Sequence, residues 1–306
     1  MVQLQSSRPK AMLKNPTLTE LKQIRSLAGF CPYDIRQISV DLEAYYRPSE
    51  NPNKAVSRLN KVLEMIGHTF RTVRAVWIEH QGGDLDISFL SLPGFANVCR
   101  LSFTCDRVTV NSLVGRVFPR VEILECRINS RLSPNASEFL SKVLKTSIQS
   151  LYAVHIGTPS LEQTKEETIF SLIQRHHIQL DQLVFLSSAP KSFQFLGSTL
   201  GVRSLVINTS MPFLRSFQEI PANHVESITL VTPTKNGKSE KAAEPGALII
   251  GRFIDILGEG NNCFSRLREL NFVFQGAAES PGIKTLATVC STTGIKFSCH
   301  RAIEYM

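Results

Sequence analysis

The chain has a single tryptophan in 306 residues, against eighteen phenylalanines. No apolar run approaches the roughly 18 residues that a membrane-crossing helix needs, so no membrane span is expected. The first sixteen residues, MVQLQSSRPKAMLKNP, contain no apolar core of the secretory type. They are polar and basic, and they read as a flexible arm. The seven cysteines are odd in number and widely spaced, with no C-x-x-C pair. That pattern argues against a disulfide framework and points to reduced core thiols in a cytosolic or nuclear protein.

Catalytic signatures are missing as well. There is no G-x-S-x-G, no H-E-x-x-H and no phosphate-binding glycine loop. His176 and His177 are adjacent, so on a strand they face apart and cannot share a metal ion. Cys290, Cys299 and His300 lack a fourth ligand. The expectation is a protein that is not an enzyme and uses no cofactor or metal. The net charge of +8 comes from scattered lysines and arginines, concentrated only in the arm and around Lys235, Lys238 and Lys241. Without an RNP, zinc-finger or helix-turn-helix signature, that distribution does not favour a nucleic-acid partner.

What the chain does have is a cadence: apolar, two free positions, apolar, one free position, apolar. Copies start at Ile35, Val73, Val98, Val121, Ile148, Leu180, Val202, Val225, Leu267 and, more weakly, Thr292. Most intervals fall in or near the 20–29 residue period of a leucine-rich repeat. With 42% hydrophobic residues, three fixed positions match roughly 7% of random starts, so the triplet alone is weak evidence. Two features strengthen it. Phe70, Phe95, Phe118 and Phe264 each stand three residues before a copy, and segments that read as a short helix or an irregular turn fill most intervals.

The organisation follows from that repeat. Residues 1–30 read as the basic arm plus a capping helix over TLTELKQIRSL at 17–27, because a solenoid end must be covered. Residues 31–306 read as about ten repeats, the first strand carrying Ile35, Ile38 and Val40. The clearest helix is 54–68, with Val56, Leu59, Leu63 and Ile66 as its stripe. Shorter helices fit 137–145, 161–175, 211–219, 247–257 and 283–290. The stretch 232–245 is polar and lysine-rich, and reads as a disordered insert. The expected fold is α/β: an irregular leucine-rich-repeat solenoid, its parallel sheet curved on the concave side with helices and loops outside.

Alternation along each strand then nominates a binding face. If the apolar triplet points to the core, the residues between line the concave surface. Trp77, Glu79, Arg100, Glu125, Arg127, Tyr152, Val184 and Leu186 are the candidates for holding a protein partner. Exposed aromatics flanked by arginine are typical interface anchors.

The motifs FPRVEILE at 118–125, FSRLRELNF at 264–272 and the closing ATVCSTTGIKF resemble the leucine-rich-repeat portion of fungal F-box proteins, over roughly residues 70–306. The resemblance implies a substrate receptor of a cullin-type ubiquitin ligase, its repeats holding the substrate. It further implies that an F-box upstream would recruit the ligase adaptor. Residues 1–69 carry no segment of the LPxE-L type. The alternative reading is a repeat scaffold or regulator of the GTPase-regulating or inhibitor type, unrelated to ubiquitination.

Overall fold

A computed structural model describes residues 10–26, 34–47, 51–80, 83–112, 117–127, 130–144, 147–153, 167–185, 202–208, 224–231, 243–258, 264–274 and 282–301. In chain order the elements begin with β1 (Lys10–Lys14), α1 (Leu18–Ser26), β2 (Asp34–Asp41), α2 (Pro52–Thr69), β3 (Ala75–Glu79) and β4 (Asp84–Asp86). There follow β5 (Arg100–Thr104), β6 (Arg107–Thr109), β7 (Ile123–Cys126), β8 (Arg131–Leu132), α3 (Pro134–Val143), β9 (Ser147–Ala153) and β10 (Glu167–Thr168). The remainder is α4 (Ile169–Arg175), β11 (Gln179–Phe185), β12 (Ser204–Asn208), β13 (Ser227–Val231), α5 (Ala243–Gly258), β14 (Glu269–Phe274), α6 (Ile283–Thr292) and β15 (Lys296–Arg301).

The protein is α/β, with main strands that pair in parallel and follow one another in sequence order within each of two units. The chain divides into two compact units: Met1–Lys145 with Thr164–Leu172, and Thr146–Gln163 with Ile173–Met306.

In the first unit, β1, β2, β3, β5 and β7 pair in parallel. The apolar triplets are its core: Ile35, Ile38 and Val40; Val73, Val76 and Ile78; Val98, Leu101 and Phe103; Val121, Leu124 and Cys126 are all buried. The segments leading into the strands are stacked by backbone hydrogen bonds between equivalent positions of successive repeats. The N–H of Arg74 donates to Arg36 O at 2.8 Å, Cys99 to Arg74 O at 2.9 Å and Glu122 to Cys99 O at 2.8 Å. A second, shorter sheet runs β10-β8-β6-β4, with β4, β6 and β8 parallel and β10 antiparallel to β8.

The helix termini carry their caps. Thr17 and Glu20 form a capping box at the start of α1: the Thr17 N–H donates to Glu20 Oε2 at 2.7 Å, and the Glu20 N–H to Thr17 Oγ1 at 3.2 Å. Asn51 caps α2 and Ser133 caps α3, each followed by a proline at the first helical position. The buried stripe of α2 is Ala55, Leu59, Val62, Leu63 and Ile66, with Val56 only half-buried. Burying each of its larger side chains is worth about 1.5–3 kcal/mol. The helix then meets the 3-10 turn Pro93–Phe95 at very short range. A Cβ on Gly94 would lie 2.3 Å from Phe70 O and 2.5 Å from Gly67 O.

In the second unit, β9, β11, β12, β13, β14 and β15 pair in parallel. Leu151, Leu180, Leu183, Val202, Leu205, Val225, Ile228, Leu230, Leu267, Leu270 and Phe272 are buried. The same backbone ladder links Glu226 N–H to Arg203 O, Arg268 N–H to Glu226 O and Lys296 N–H to Arg268 O, at 2.8, 2.9 and 2.9 Å.

Several expectations are corrected. Residues 10–14 are not arm but β1, which pairs with β2 and so precedes the strand expected to be first. Edge pairing outweighs the polar composition there, because an unpaired β2 would leave a row of unsatisfied backbone groups. Residues 243–245 of the expected insert are the first turn of α5, while 232–242 lie outside the described residues, as do 211–219 and 161–166. The intervals after β3 and β5, for which no helix is expected, hold β4, β6 and 3-10 turns. Of the leading phenylalanines, Phe95 and Phe264 are buried but Phe118 is exposed.

The glycines set a paired test. Gly94→Ala forces the Pro93–Phe95 turn off α2, and should cost about 1–3 kcal/mol. Gly251→Ala, in α5 with nothing within 4 Å of the new methyl, should stabilise by about 0.4–1 kcal/mol. Urea unfolding of the two variants measures both signs.

Candidate functional site

The in-register pairing of the first unit fixes which side chains stand together on the face opposite the core. One row across β1, β2, β3, β5 and β7 reads Met12, Gln37, Ala75, Arg100, Ile123. The next reads Lys14, Ser39, Trp77, Ser102, Glu125, and a third places Asp41 beside Glu79 and Thr104. Ala75 and Ser102 are small and buried. The larger neighbours Trp77, Arg100, Ile123, Glu125 and Arg127 are half-buried, and Glu79 is exposed. Small residues beside Trp77 leave its ring room to lie on the sheet.

Arg100 links this cluster. Its guanidinium carbon lies 5.3 Å from the Trp77 ring centroid, a cation–π contact worth about 0.5–1 kcal/mol at a half-exposed site. The same group is 3.7 Å from Glu125 Oε2. Trp77, Arg100 and Glu125 are therefore one contiguous group. Arg127 turns away from it and donates from Nη1 to Asp106 Oδ1 at 2.8 Å. Tyr152 and Val184 belong to the second unit, where they are paired in register. Tyr152 is half-buried, but Val184 is only 6% exposed, flanked by Tyr152 and Val206 on the neighbouring strands. Its expected role as an accessible contact is corrected accordingly. Leu186 lies outside the described residues.

A group that the sequence reading passed over sits where these strands end. His80 is buried, and among the described residues neither ring nitrogen meets a partner within hydrogen-bonding geometry. Its ring lies under Gly83, whose φ of 87° only glycine adopts readily; a Cβ there would stand 3.2 Å from His80 Cε1. The Gly83 N–H donates to Asp106 Oδ2 at 3.2 Å. Arg107 Nη1 stands 3.4 Å from Asp84 Oδ2. Burial pushes the His80 pKa below its usual 6.5, opposed by the Asp84 backbone and by the Asp106 and Asp84 carboxylates. The signal was available in the cadence. Carried one step further, the alternation reaches Leu42, His80 and Cys105, all three buried. Burial also raises the Cys105 thiol to about 12 and holds Cys126 well above its ordinary value, so neither is a ready nucleophile.

Elsewhere in the first unit, a cavity of about 280 Å³ is lined by Val110, Phe118, Asn135, Phe139, Glu138 and Lys142. Among the described residues no group of three or more His, Cys, Asp or Glu side chains is placed to hold a metal ion. Among them, too, no helix is long and apolar enough to cross a membrane. Comparison with protein-family models, with curated proteins and with solved structures finds no match to this chain.

His80 sets a pH dependence. Its folded pKa is depressed, so below pH 6.5 the unfolded chain takes up a proton that the folded chain resists. Stability should be at its full value above pH 6.5 and fall as the pH drops below it. In His80→Leu that part of the slope should vanish, whatever the variant's absolute stability. Urea midpoints collected between pH 7.5 and 5 measure the slope; an unchanged slope in the variant would contradict the assignment.

Proposed function

We propose that this chain is a leucine-rich-repeat protein that binds a protein partner, without catalysis, on the strand face around Trp77. The observation that carries the reading is the Trp77–Arg100–Glu125 group: an indole, a guanidinium and a carboxylate in contact on adjacent parallel strands. Aromatic and arginine side chains that are half-covered by their own neighbours lose little freedom on binding, and they dominate interface energetics. The regular rows on either side supply a broad polar surround of the kind found at interface rims.

The resemblance of FPRVEILE and FSRLRELNF to the repeats of fungal F-box proteins supports a more specific reading, that of a substrate receptor. On that reading the partner held at Trp77 is the ligase substrate, and an adaptor engages a segment other than these repeats. Purification with a ligase adaptor would separate this from the scaffold or regulator alternative.

Trp77→Ala combined with Arg100→Ala should lower the affinity for a cognate partner by at least tenfold, since each anchor is worth about 2 kcal/mol or more. The fold should persist, because neither side chain belongs to the buried core. Pull-down of partners captured by the parent protein, alongside circular dichroism of the variant, tests both statements. Retention of every partner by a folded variant would refute the Trp77 face.

A further inference from the structure

The turns that lead into β3 and β7 carry three exposed arginines, Arg71, Arg74 and Arg120. Among the described residues no carboxylate pairs with them. The backbone ladder stacks these turns: Cys99 N–H donates to Arg74 O and Glu122 N–H to Cys99 O. Arg71, Arg74 and Arg120 therefore lie at the end of the sheet where β3 and β7 begin. Glu122 is the one carboxylate among the described residues of these turns, and it is half-buried. Arg100, in the first position of β5, extends the basic character toward Trp77.

Where the strands end, the sign reverses. Asp41 and Glu79 are direct cross-strand neighbours, like charges side by side, which is unfavourable unless something compensates. Asp84 and Asp106 follow, each already engaged by an arginine, Arg107 and Arg127. From Arg74 to Glu79 is five residues of extended chain, roughly 17 Å. Trp77 lies between the two ends.

We infer that the partner of this face is a protein segment of graded charge: acidic where it meets Arg71, Arg74 and Arg120, apolar or aromatic over Trp77, and basic against Asp41 and Glu79. The inference rests on the Trp77 face being the binding surface. Charge of opposite sign at the two ends sets the direction in which a segment lies, and it repels a segment lying the other way. It also discriminates against nucleic acid. A polyanion long enough to cross the face would bring phosphates against Asp41 and Glu79.

Because Trp77 is the only tryptophan, its fluorescence reports directly on occupancy. The probes are a fluorescently labelled synthetic peptide of three glutamates, a central Leu-Phe pair and three lysines; a uniformly acidic peptide of equal length; and a single-stranded oligonucleotide. At low salt the graded peptide should shift Trp77 emission and bind at least tenfold more tightly than the other two. Arg71→Glu, Arg74→Glu and Arg120→Glu together should weaken it by tenfold or more while circular dichroism is unchanged. The inference is overturned if the graded peptide fails to bind, if the triple variant binds it within twofold of the parent, or if the oligonucleotide binds as tightly. Dependence on the arginines, with Trp77 emission and the affinity of Trp77→Ala both unmoved, would overturn the Trp77 reading and keep the arginine assignment.

Discussion

The stacking hydrogen bond between successive turns is the constraint on which the rest of this protein depends. In each unit the backbone N–H that leads into one strand donates to the carbonyl of the equivalent turn in the strand before, at 2.8–2.9 Å. That bond holds neighbouring strands parallel and in register. Register in turn decides which face each side chain occupies, since a slip of one residue would turn every apolar side chain outward. The buried triplets, from Ile35, Ile38 and Val40 to Leu267, Leu270 and Phe272, and the outward rows that contain Trp77 both follow from it.

A surface built this way works differently from a pocket. Its groups are contributed one or two per strand, spaced by the strand separation, and held by rigid backbone rather than by loops. Arg100 illustrates the result. It is fixed beside Trp77 by the pairing of β3 with β5, and beside Glu125 by the pairing of β5 with β7. Around β3 charge follows strand position, with Arg74 just before its start and Glu79 at its end. The strand ends of the first unit have their own construction: Gly83, Asp106 and Arg131 are linked by backbone bonds, and His80 is buried against Gly83.

Much of this was legible in the residues because the signal repeats. The apolar triplets at Ile35, Val73, Val98, Val121, Val225 and Leu267 are buried throughout, and α2, α3, α5 and α6 overlie the segments expected to be helical. The outward positions of Trp77, Arg100 and Glu125 followed from alternation alone. What escaped were elements too short to show a period. β4, β6, β8 and β10 have two or three residues each, too few for the alternation to repeat. β1 looked like part of a polar arm, and only its pairing with β2 makes it a strand. Val184 obeyed the alternation yet is buried, because exposure depends on neighbouring side chains as well as on direction.

By itself the sequence determined the α/β class of the fold, the face each strand buries and the residues that alternate away from it, because those are consequences of a local period of two repeated along the chain. The tertiary structure alone decided which of those residues meet. Trp77, Arg100 and Glu125 are separated by more than twenty residues at each step, and nothing local brings them together. Contact between them is a property of register, which is set only when separate turns hydrogen-bond to one another. The same holds for His80, which is covered only once the turn at Gly83 lies over it.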